Sequence, residues 1–278
     1  MAVSLSPLRY PGGKSKLCKY VANIVECNEL NKFRFVEPFA GGASVSLFLL
    51  LNKYVPRILL NDYDVKIFSF WYSILNNTEN FLKKMYETPI SIEEWSKQKE
   101  INIQESDDTF AIGFSTFYLN RCNRSGIINS AGPIGGKNQL GNYKIDARFN
   151  KKKLEQKIVN IALQKNNIKI TNFDFSAFMK KFGMNKKNFY FFDPPYYKQG
   201  NVLYNIKLNK QHHIQFSKII LNCSNPWIAT YDEHETIIKL YENSDFAKLW
   251  LHNMQYSLQR YIRARELFIT SKNILLPK

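Results

Sequence analysis

The feature that most restricts the fold of this chain is an alternation of short apolar runs with longer amphipathic stretches. Each run is four residues long and is followed by Pro, Asn, Asp or Ser, which is typical of a buried strand that ends in a turn. The amphipathic stretches between the runs predict helices. Strand and helix in alternation predict an α/β fold, with a mostly parallel sheet covered on both faces. The predicted strands are residues 34–37, 57–60, 168–171, 189–192, 228–231 and 267–270.

The middle of the chain departs from this alternation. Residues 77–150 have a polar helical pattern that becomes irregular and glycine-rich over residues 126–141. Because no buried-strand pattern occurs there, we expect this segment to be a mainly helical insertion. The sheet domain is then formed by residues 1–76 and 151–278, a division that suits a chain of 278 residues.

A tetrapeptide directly after the aromatic strand at 189–192 carries the clearest chemical pattern. It reads Asp193-Pro194-Pro195-Tyr196. Ligands of open α/β sheets bind beyond the carboxyl ends of the strands, and two prolines stiffen a loop at such an end. The Asp193 carboxylate and the Pro194 carbonyl are then two fixed acceptors for an exocyclic amine, and Tyr196 offers a ring for stacking. The alternative is a plain surface turn, because Asp-Pro often begins one.

A second motif follows the first predicted strand and is rich in glycine. It runs from Glu37 through Phe39 and Gly41 to Ala43, just before a helix. Glycine lets the backbone approach a ligand, and a helix N-terminus offers free N–H groups. Since many strand-to-helix turns contain glycine, this motif alone is weak.

Acidic residues after the next two strands strengthen the case for an adenosine-containing cofactor. Asp62 lies 21 residues beyond Gly41, the distance at which an acidic residue binds ribose hydroxyls in dinucleotide folds. Asp174 and Phe175 follow the strand at 168–171 and are candidates for an adenine contact. For Asp62 and Asp174 the alternative role is a helix N-cap, and for Phe175 it is a place in the core.

Composition limits the remaining classes. The net charge of +16 favours a polyanionic partner such as nucleic acid, although a basic proteome or a membrane surface would also account for it. The four cysteines form no C-x-x-C pair, so we expect no metal site and a reducing, cytoplasmic setting. The longest aliphatic run, residues 45–51, is far shorter than the roughly 20 residues of a membrane span. The Gly-Lys-Ser at 13–15 is not a phosphate-binding P-loop, because Leu8 stands where that motif needs glycine.

These motifs, in this order, resemble the Dam-type family of N6-adenine-specific DNA methyltransferases. The resemblance covers nearly the whole chain and places the recognition region between the glycine-rich turn and the Asp-Pro-Pro-Tyr motif. Two positions depart from the family pattern: Tyr10 stands where Trp is frequent, and Ala43 replaces a frequent glycine. The segments that carry the resemblance are Pro11 to Lys14, Glu37 to Gly41, Asn61-Asp62, Leu119 to Arg121 and Asp193 to Tyr196.

The resemblance implies a Rossmann-like sheet that binds S-adenosyl-L-methionine, with the insertion at 77–150 serving as the DNA-recognition domain. It further implies that the target adenine is flipped out of double-stranded DNA, which exposes its amine to the methyl donor. The residues that it implies for the cofactor are Tyr10, Lys14, Asp62 and Asp193, with Glu37, Phe39 and Gly41 on the methionine side.

A basic segment in the insertion is the candidate DNA-reading surface. Asn120, Arg121, Asn123 and Arg124 are of the types that make paired contacts with adenine and guanine edges. They lead into a glycine-rich loop at 132–137 that ends at Lys137. The alternative is a solvated helix end followed by a surface loop.

The sequence therefore predicts an adenine-specific DNA methyltransferase that acts by direct in-line transfer. The family implies a bacterial or phage origin, with either a partner restriction endonuclease or a solitary role. The alternatives keep the fold and change the substrate to cytosine N4, an RNA adenine or a protein glutamine, or they retain DNA binding without catalysis.

Overall fold

The core of the molecule is a mixed sheet, seen in a computed structural model that describes residues 5–10, 13–104, 107–197, 209–258 and 260–277 (the backbone alone over 251–265). Within these ranges, seven strands lie in the order β3-β2-β1-β4-β5-β7-β6. Strands β1 to β5 are parallel, whereas β7 is antiparallel to both β5 and β6. The strands are β1 Arg34–Glu37, β2 Arg57–Asn61, β3 Ile168–Thr171, β4 Asn188–Phe192, β5 Trp227–Asp232, β6 Ala247–Leu258 and β7 Arg260–Ser271.

Helices connect the strands, and several begin at side-chain caps. The carboxylates of Asp64, Asp108 and Asp174 accept hydrogen bonds from backbone N–H groups in the first turns of their helices, which otherwise lack partners. The helices are α1 Cys18–Cys27, α2 Ser44–Leu51, α3 Val65–Asn76, α4 Thr78–Glu87, α5 Ile92–Ile103, α6 Thr109–Cys122, α7 Lys151–Ala162, α8 Phe175–Phe182, α9 Lys210–Leu221 and α10 Glu235–Tyr241. Within the described ranges, no helix has the length and apolar character needed to cross a bilayer.

Both faces of the sheet are buried, as the apolar runs require. Neighbouring residues of one strand enter opposite hydrophobic clusters: Phe35 belongs to one cluster and Val36 to the other, and Phe191 and Phe192 divide in the same way. The expected α/β fold with a mostly parallel, Rossmann-like sheet is therefore confirmed.

Helices α4, α5 and α6 occupy the first half of the segment predicted to be an insertion. Helix α6 packs closely on α3, where a Cβ on Gly113 would lie 2.4 Å from the carbonyl oxygen of Ser69. The rings of Phe70 on α3 and Phe117 on α6 stack with centroids 5.9 Å apart. These helices thus share a core with one face of the sheet, while 77–150 as a recognition unit stays a prediction.

The long hairpin of β6 and β7 is the main element that the sequence pattern did not indicate. The pattern predicted only residues 267–270, but β7 begins at Arg260 and β6 pairs with it over twelve residues. The sequence at 252–260 has no continuous apolar run, because Met254, Tyr256 and Leu258 alternate with polar residues. An antiparallel edge hairpin is stabilised by its backbone ladder and needs no continuous apolar run.

Candidate active site

A cavity of about 750 Å³ opens where the carboxyl ends of the parallel strands meet. Strands β1, β2, β3 and β4 end at this edge, so the polar residues that follow each of them converge. Pro195 also lines the cavity. The structure brings together all nine residues predicted to contact a cofactor, and each of them lines the cavity: Tyr10, Lys14, Glu37, Phe39, Gly41, Asp62, Asp174, Phe175 and Asp193.

The glycine-rich turn after β1 forms the floor of this cavity. Gly41 has a positive φ of 45°, and a Cβ at this position would lie 2.6 Å from the ring of Tyr10. Its backbone N–H donates to Oδ2 of Asp62 at 2.8 Å, and its carbonyl accepts from Nε1 of Trp71 at 2.9 Å. The turn is therefore fixed on both sides, and Ala43 completes it with φ 48°.

Glu37 and Asp62 are two buried carboxyl groups that line the cavity. Glu37 is 4% exposed; its Oε1 accepts from the Ser46 N–H, while Oε2 has no hydrogen-bond partner among the described residues. Burial, with a smaller contribution from the charge of the nearby Asp193, raises the pKa of Glu37 to about 8. Burial likewise raises the pKa of Asp62 to about 7, with the charge of Asp64 adding to the effect. Carboxylates held this way favour a cationic ligand, which would restore their charged forms.

The capping alternatives for the two acidic residues have different outcomes. Helix α3 is capped by Asp64, so Asp62 is not its N-cap. Both oxygens of Asp62 accept backbone N–H groups, from Gly41 and from Asp64. Asp174 does cap α8, through the N–H of Ala177, and it also lines the cavity.

An aromatic wall closes the cavity on the side of α8 and α9. The rings of Phe39 and Phe175 stack with centroids 5.1 Å apart, and Phe216 of α9 packs edge-on against Phe175 at 4.8 Å. Such a wall suits the flat face of a purine ring. The contribution of Phe216 was not predicted, because its helix shows no motif.

Asp193 stands at the end of β4 with both carboxylate oxygens oriented by the protein. Oδ2 accepts from Nζ of Lys14 at 2.8 Å, and Oδ1 accepts from the Thr230 hydroxyl at 2.7 Å. Burial raises its pKa, Lys14 opposes that rise, and Glu266 adds to it. Pro194 is buried, and the Tyr196 hydroxyl donates to Glu266.

Besides Phe216, two polar residues of this site escaped the sequence analysis, although a weak pattern marks each of them. Thr230 lies on β5, the strand next to the aromatic one, close to its carboxyl end. Glu266 is an acidic residue directly before the apolar run at 267–270, where a buried carboxylate would need partners. Of the residues named from sequence, Pro11 and Gly12 lie outside the described residues.

Asn120 and Asn123 require a correction to the predicted DNA-reading segment. Both side chains are fully buried. The Asn120 amide holds the backbone of Arg9 and the carbonyl of Gly126, with three hydrogen bonds of 2.7–2.9 Å. The Asn123 amide accepts from Nε1 of Trp95 and donates to the carbonyls of residues 127 and 128. These side chains shape the loop from inside, so neither faces a DNA groove.

The three charged residues of that prediction have different environments. Arg124 and Lys137 are exposed and available to a partner. Arg121 is half-buried, and its guanidinium donates to the carbonyls of Arg148 and Pro7. Ile127 to Ser130, in the same loop, line the main cavity and link the recognition segment to it.

A second, smaller cavity of about 230 Å³ is lined by basic side chains next to the first one. Arg9, Arg121 and Lys157 line it together with the hydroxyls of Ser15 and Ser44. None of its lining residues is acidic. Burial and the neighbouring arginines lower the pKa of Arg121 to about 10. Basic side chains beside hydroxyl donors, in a cavity whose described lining has no acidic residue, suit an anion such as a phosphodiester.

The sheet topology and the cavity at its carboxyl edge are those of a Rossmann-like methyltransferase domain. The model of the D12 class N6 adenine-specific DNA methyltransferases matches residues 10–258. The chain belongs to this family and is an adenine-specific DNA methyltransferase, as the sequence motifs predicted.

Similar proteins are distant in sequence. A Type II methyltransferase, M.MjaIII of Methanocaldococcus jannaschii, is 25% identical over 207 residues, which cover 68% of each chain. Among solved structures, a precorrin-6y C5,15-methyltransferase of Geobacter metallireducens covers 90% of this chain and 86% of its own, with 10% identity and a TM-score of 0.37. The rRNA methyltransferase AviRa of Streptomyces viridochromogenes covers 90% and 83%, with 9% identity and a TM-score of 0.35. Within the described residues, no group of three or more His, Cys, Asp or Glu side chains is arranged to hold a metal ion.

Proposed function

We propose that the protein transfers a methyl group from S-adenosyl-L-methionine to N6 of an adenine flipped out of double-stranded DNA at a specific site. The observation that carries this proposal is the position of Asp193, which lines the same cavity as Glu37, whose Oε2 has no hydrogen-bond partner in the described part of the chain. One group suits an amine that is to be methylated, and the other suits a cationic methyl donor.

The residues of the cavity fit this cofactor. S-adenosyl-L-methionine has a sulfonium and an ammonium group, and Glu37 offers a buried carboxylate oxygen that no other described residue contacts by a hydrogen bond. Asp62 lies beside Gly41, where ribose hydroxyls would find an acceptor, and the Phe39–Phe175 wall suits adenine. When bound, this cofactor supplies an electrophilic methyl group.

The chain's own part in catalysis is to orient the target amine. The lone pair of an adenine amine is delocalised into the ring, so the amine is a poor nucleophile. Hydrogen bonds from its two hydrogens to the Asp193 carboxylate and the Pro194 carbonyl favour a pyramidal nitrogen whose lone pair faces the methyl group. With the cofactor bound, a C–N bond would form as the S–C bond breaks and the sulfur leaves as a neutral thioether. The proton that the nitrogen loses would pass to the Asp193 carboxylate, which already accepts a hydrogen bond from the amine. Positioning of this kind contributes roughly 7–11 kcal/mol in favourable cases.

DNA binding is supported by charge and by the shape of the recognition segment. The net charge is +16, and the carboxylate-free cavity with Arg9, Arg121 and Lys157 adjoins the main cavity through Tyr10 and Gly13. A backbone phosphate held there would place the flipped nucleotide beside the Asp193 cavity. We assign site selection to the exposed part of the segment, with Arg124 and Lys137 as its candidate residues.

A restriction–modification role is part of the proposal. It is supported by the similarity to M.MjaIII, a Type II methyltransferase. We therefore expect the protein to act on DNA in the cytoplasm of a bacterial or phage-infected cell and to protect its target site from a cognate endonuclease. Mapping N6-methyladenine in DNA from cells that express the protein would reveal one short recognition sequence.

The direct test uses S-adenosyl-L-methionine labelled in its methyl group and an unmethylated DNA duplex, followed by digestion to nucleosides. We expect the label in N6-methyl-2′-deoxyadenosine from the DNA. Asp193→Ala should abolish transfer, while the control Asp245→Ala, at an exposed position, should not. Label in cytosine, or only in RNA or protein, would refute the adenine assignment.

A further inference from the structure

Glu266 is a buried carboxylate whose contacts lie inside the candidate active site. It is 2% exposed on β7, in register with Asp232 of β5. Its Oε1 accepts a hydrogen bond from the Tyr196 hydroxyl and lies 3.4 Å from Nζ of Lys14. It therefore contacts two residues of the candidate site, although it lies 73 positions beyond Asp193 in the sequence.

Lys14 connects Glu266 to Asp193. Its Nζ is 2.8 Å from Oδ2 of Asp193 and 4.7 Å from the centre of the Tyr196 ring. Lys14 is only 4% exposed, so its charge is shared between two carboxylates with little screening by water. The N-terminal segment, the Asp-Pro-Pro-Tyr loop and β7 thus meet in one cluster of four side chains.

We propose that Glu266 is a positioning residue for methyl transfer, acting through Tyr196 and Lys14. By accepting the phenol hydrogen, it fixes the angle of the Tyr196 ring, on which the flipped base would stack. By sharing the ammonium group of Lys14, it leaves the Asp193 carboxylate a stronger acceptor for the target amine. This inference rests on the proposed function, because it assumes that an amine binds at Asp193.

The physical reason for a role beyond stability lies in the cost of burying a carboxylate. A buried ion pair is often no more stabilising than apolar residues of similar size. Glu266 adjoins the buried apolar residues Leu267 and Phe268 along β7, so its carboxylate depends on the Lys14 ammonium and the Tyr196 hydroxyl for compensation. A carboxylate at this point gains its value from the two groups that it orients.

The test separates the two contacts of Glu266 by substitution. Glu266→Gln keeps an acceptor for the phenol and removes the charge that attracts Lys14, whereas Glu266→Ala removes both. Tyr196→Phe removes only the hydroxyl group of Tyr196 and keeps its ring. Thr270→Val is the matched control, since Thr270 lies four residues further along β7, is fully buried, and its hydroxyl has no partner among the described residues.

We expect Glu266→Ala to lower the single-turnover rate of methyl transfer by about 100-fold, the order of loss that a small misplacement causes. The dissociation constants for S-adenosyl-L-methionine and DNA should stay within about twofold, because both contacts act on orientation. In the Tyr196→Phe background, Glu266→Ala should lower the rate by a smaller factor, because the contact between the Tyr196 hydroxyl and Glu266 is already absent. The single-turnover rate of Glu266→Gln should lie between those of the wild type and Glu266→Ala. This variant should also shift the acid limb of the pH–rate profile to lower pH, because Asp193 loses a negative neighbour.

Three outcomes would overturn the inference. They are an unchanged rate in Glu266→Ala, effects of Glu266→Ala and Tyr196→Phe that simply multiply, and an equal loss in Thr270→Val. If Glu266→Ala fails to fold, the pH–rate profile and rate of Glu266→Gln decide the matter. Wild-type label in adenine tests the proposed function separately: were the label found in another amine, the coupling would be measured on that product.

Discussion

Single carboxylates set the affinity of the cavity for a cationic ligand. Glu37 has one oxygen held by the Ser46 N–H and one without a partner among the described residues. Because burial raises the pKa of Glu37 to about 8, a cation that binds here must shift the Glu37 carboxyl group back to its charged form. Affinity for such a ligand is therefore coupled to pH through this one side chain.

The first prediction concerns Glu37→Gln. We expect the affinity of this variant for S-adenosyl-L-methionine at pH 8 to be at least about tenfold lower than that of the wild type. The variant loses a contact between charges that would shift the pKa of Glu37 by one unit or more, and one pKa unit corresponds to a tenfold change in affinity. Between pH 6 and 8 the wild-type affinity should rise, and the rise should be shallower in the variant. Calorimetric titration at several pH values measures both effects. Equal affinities in wild type and variant would remove Glu37 from the cofactor site; Glu242→Gln, on the exposed surface, is the control.

At the scale of elements, the recognition loop depends on amides buried beneath it. Helix α6 ends at Cys122, and the chain after it is tied back by Asn120 and Asn123. The Asn120 amide makes three hydrogen bonds, two to Arg9 and one to Gly126. Loss of that amide would leave buried backbone groups without partners, and each such group costs about 1–3 kcal/mol.

The second prediction is that Asn120→Ala lowers the free energy of unfolding by about 3 kcal/mol or more. It should also weaken DNA binding, because the loop at 123–136 loses its anchor. Urea unfolding measures the first effect, and Asn76→Ala, which removes an exposed amide on α3, is the control. If Asn120→Ala kept its stability but lost DNA binding, a direct DNA contact would have to be restored to this residue.

Elements defined by local pattern were predicted well, and those defined by partners were not. Strands β1 and β3 have the predicted bounds, because a run of apolar residues before a turn is a local property. The β6–β7 hairpin was missed, since its pairing partner is supplied by the fold. The same distinction applies to side chains: Asp193 is marked by its two prolines, while the burial of Asn120 follows from contacts with Arg9, 111 positions away.

At the scale of the whole molecule, some of the basic residues behind the net charge of +16 would contact DNA phosphates directly, and the others would only attract DNA at a distance. Lys157 lines the small basic cavity and donates to the carbonyl of Ser6 at 3.0 Å. Arg124 is exposed on the recognition loop. The first position suits the DNA backbone, and the second suits the edges of bases.

The third prediction contrasts these two residues. Lys157→Met should weaken binding to all duplexes equally and reduce the slope of log affinity against log salt concentration by about 0.9, the value for one phosphate. Arg124→Ala should change the ranking of target sites instead. Fluorescence anisotropy over a salt series, with Lys239→Met on α10 as the control, distinguishes the two. A salt slope unchanged in Lys157→Met would mean that this cavity holds no phosphate.

The fourth prediction concerns the stability of the ligand-free molecule against pH. Glu37 and Asp62 have raised pKa values of about 8 and about 7 in the folded protein, so folding favours their neutral forms. The stability that they contribute is fully present below their unfolded pKa values and is lost as the pH rises through the folded ones. For Glu37, a pKa raised from 4.5 to about 8 corresponds to a loss of about 2 kcal/mol between pH 6.5 and 8.5.

The contribution of Glu37 can be separated from those of other titratable groups. Asp193 and Lys14 have opposing effects on the pKa of Glu37, and the lowered pKa of His213, elsewhere in the fold, affects stability only as the pH falls below about 6.5. Urea unfolding of wild type and Glu37→Gln at pH 6.5 and 8.5 should therefore show the variant losing less stability than the wild type. Saturating S-adenosyl-L-methionine should reduce the loss of stability of the wild type between pH 6.5 and 8.5, because a cation restores the charged carboxylate of Glu37. Parallel pH profiles for the two proteins would show that Glu37 is already ionised without a ligand, and the cavity would then be preorganised for a cation rather than completed by one.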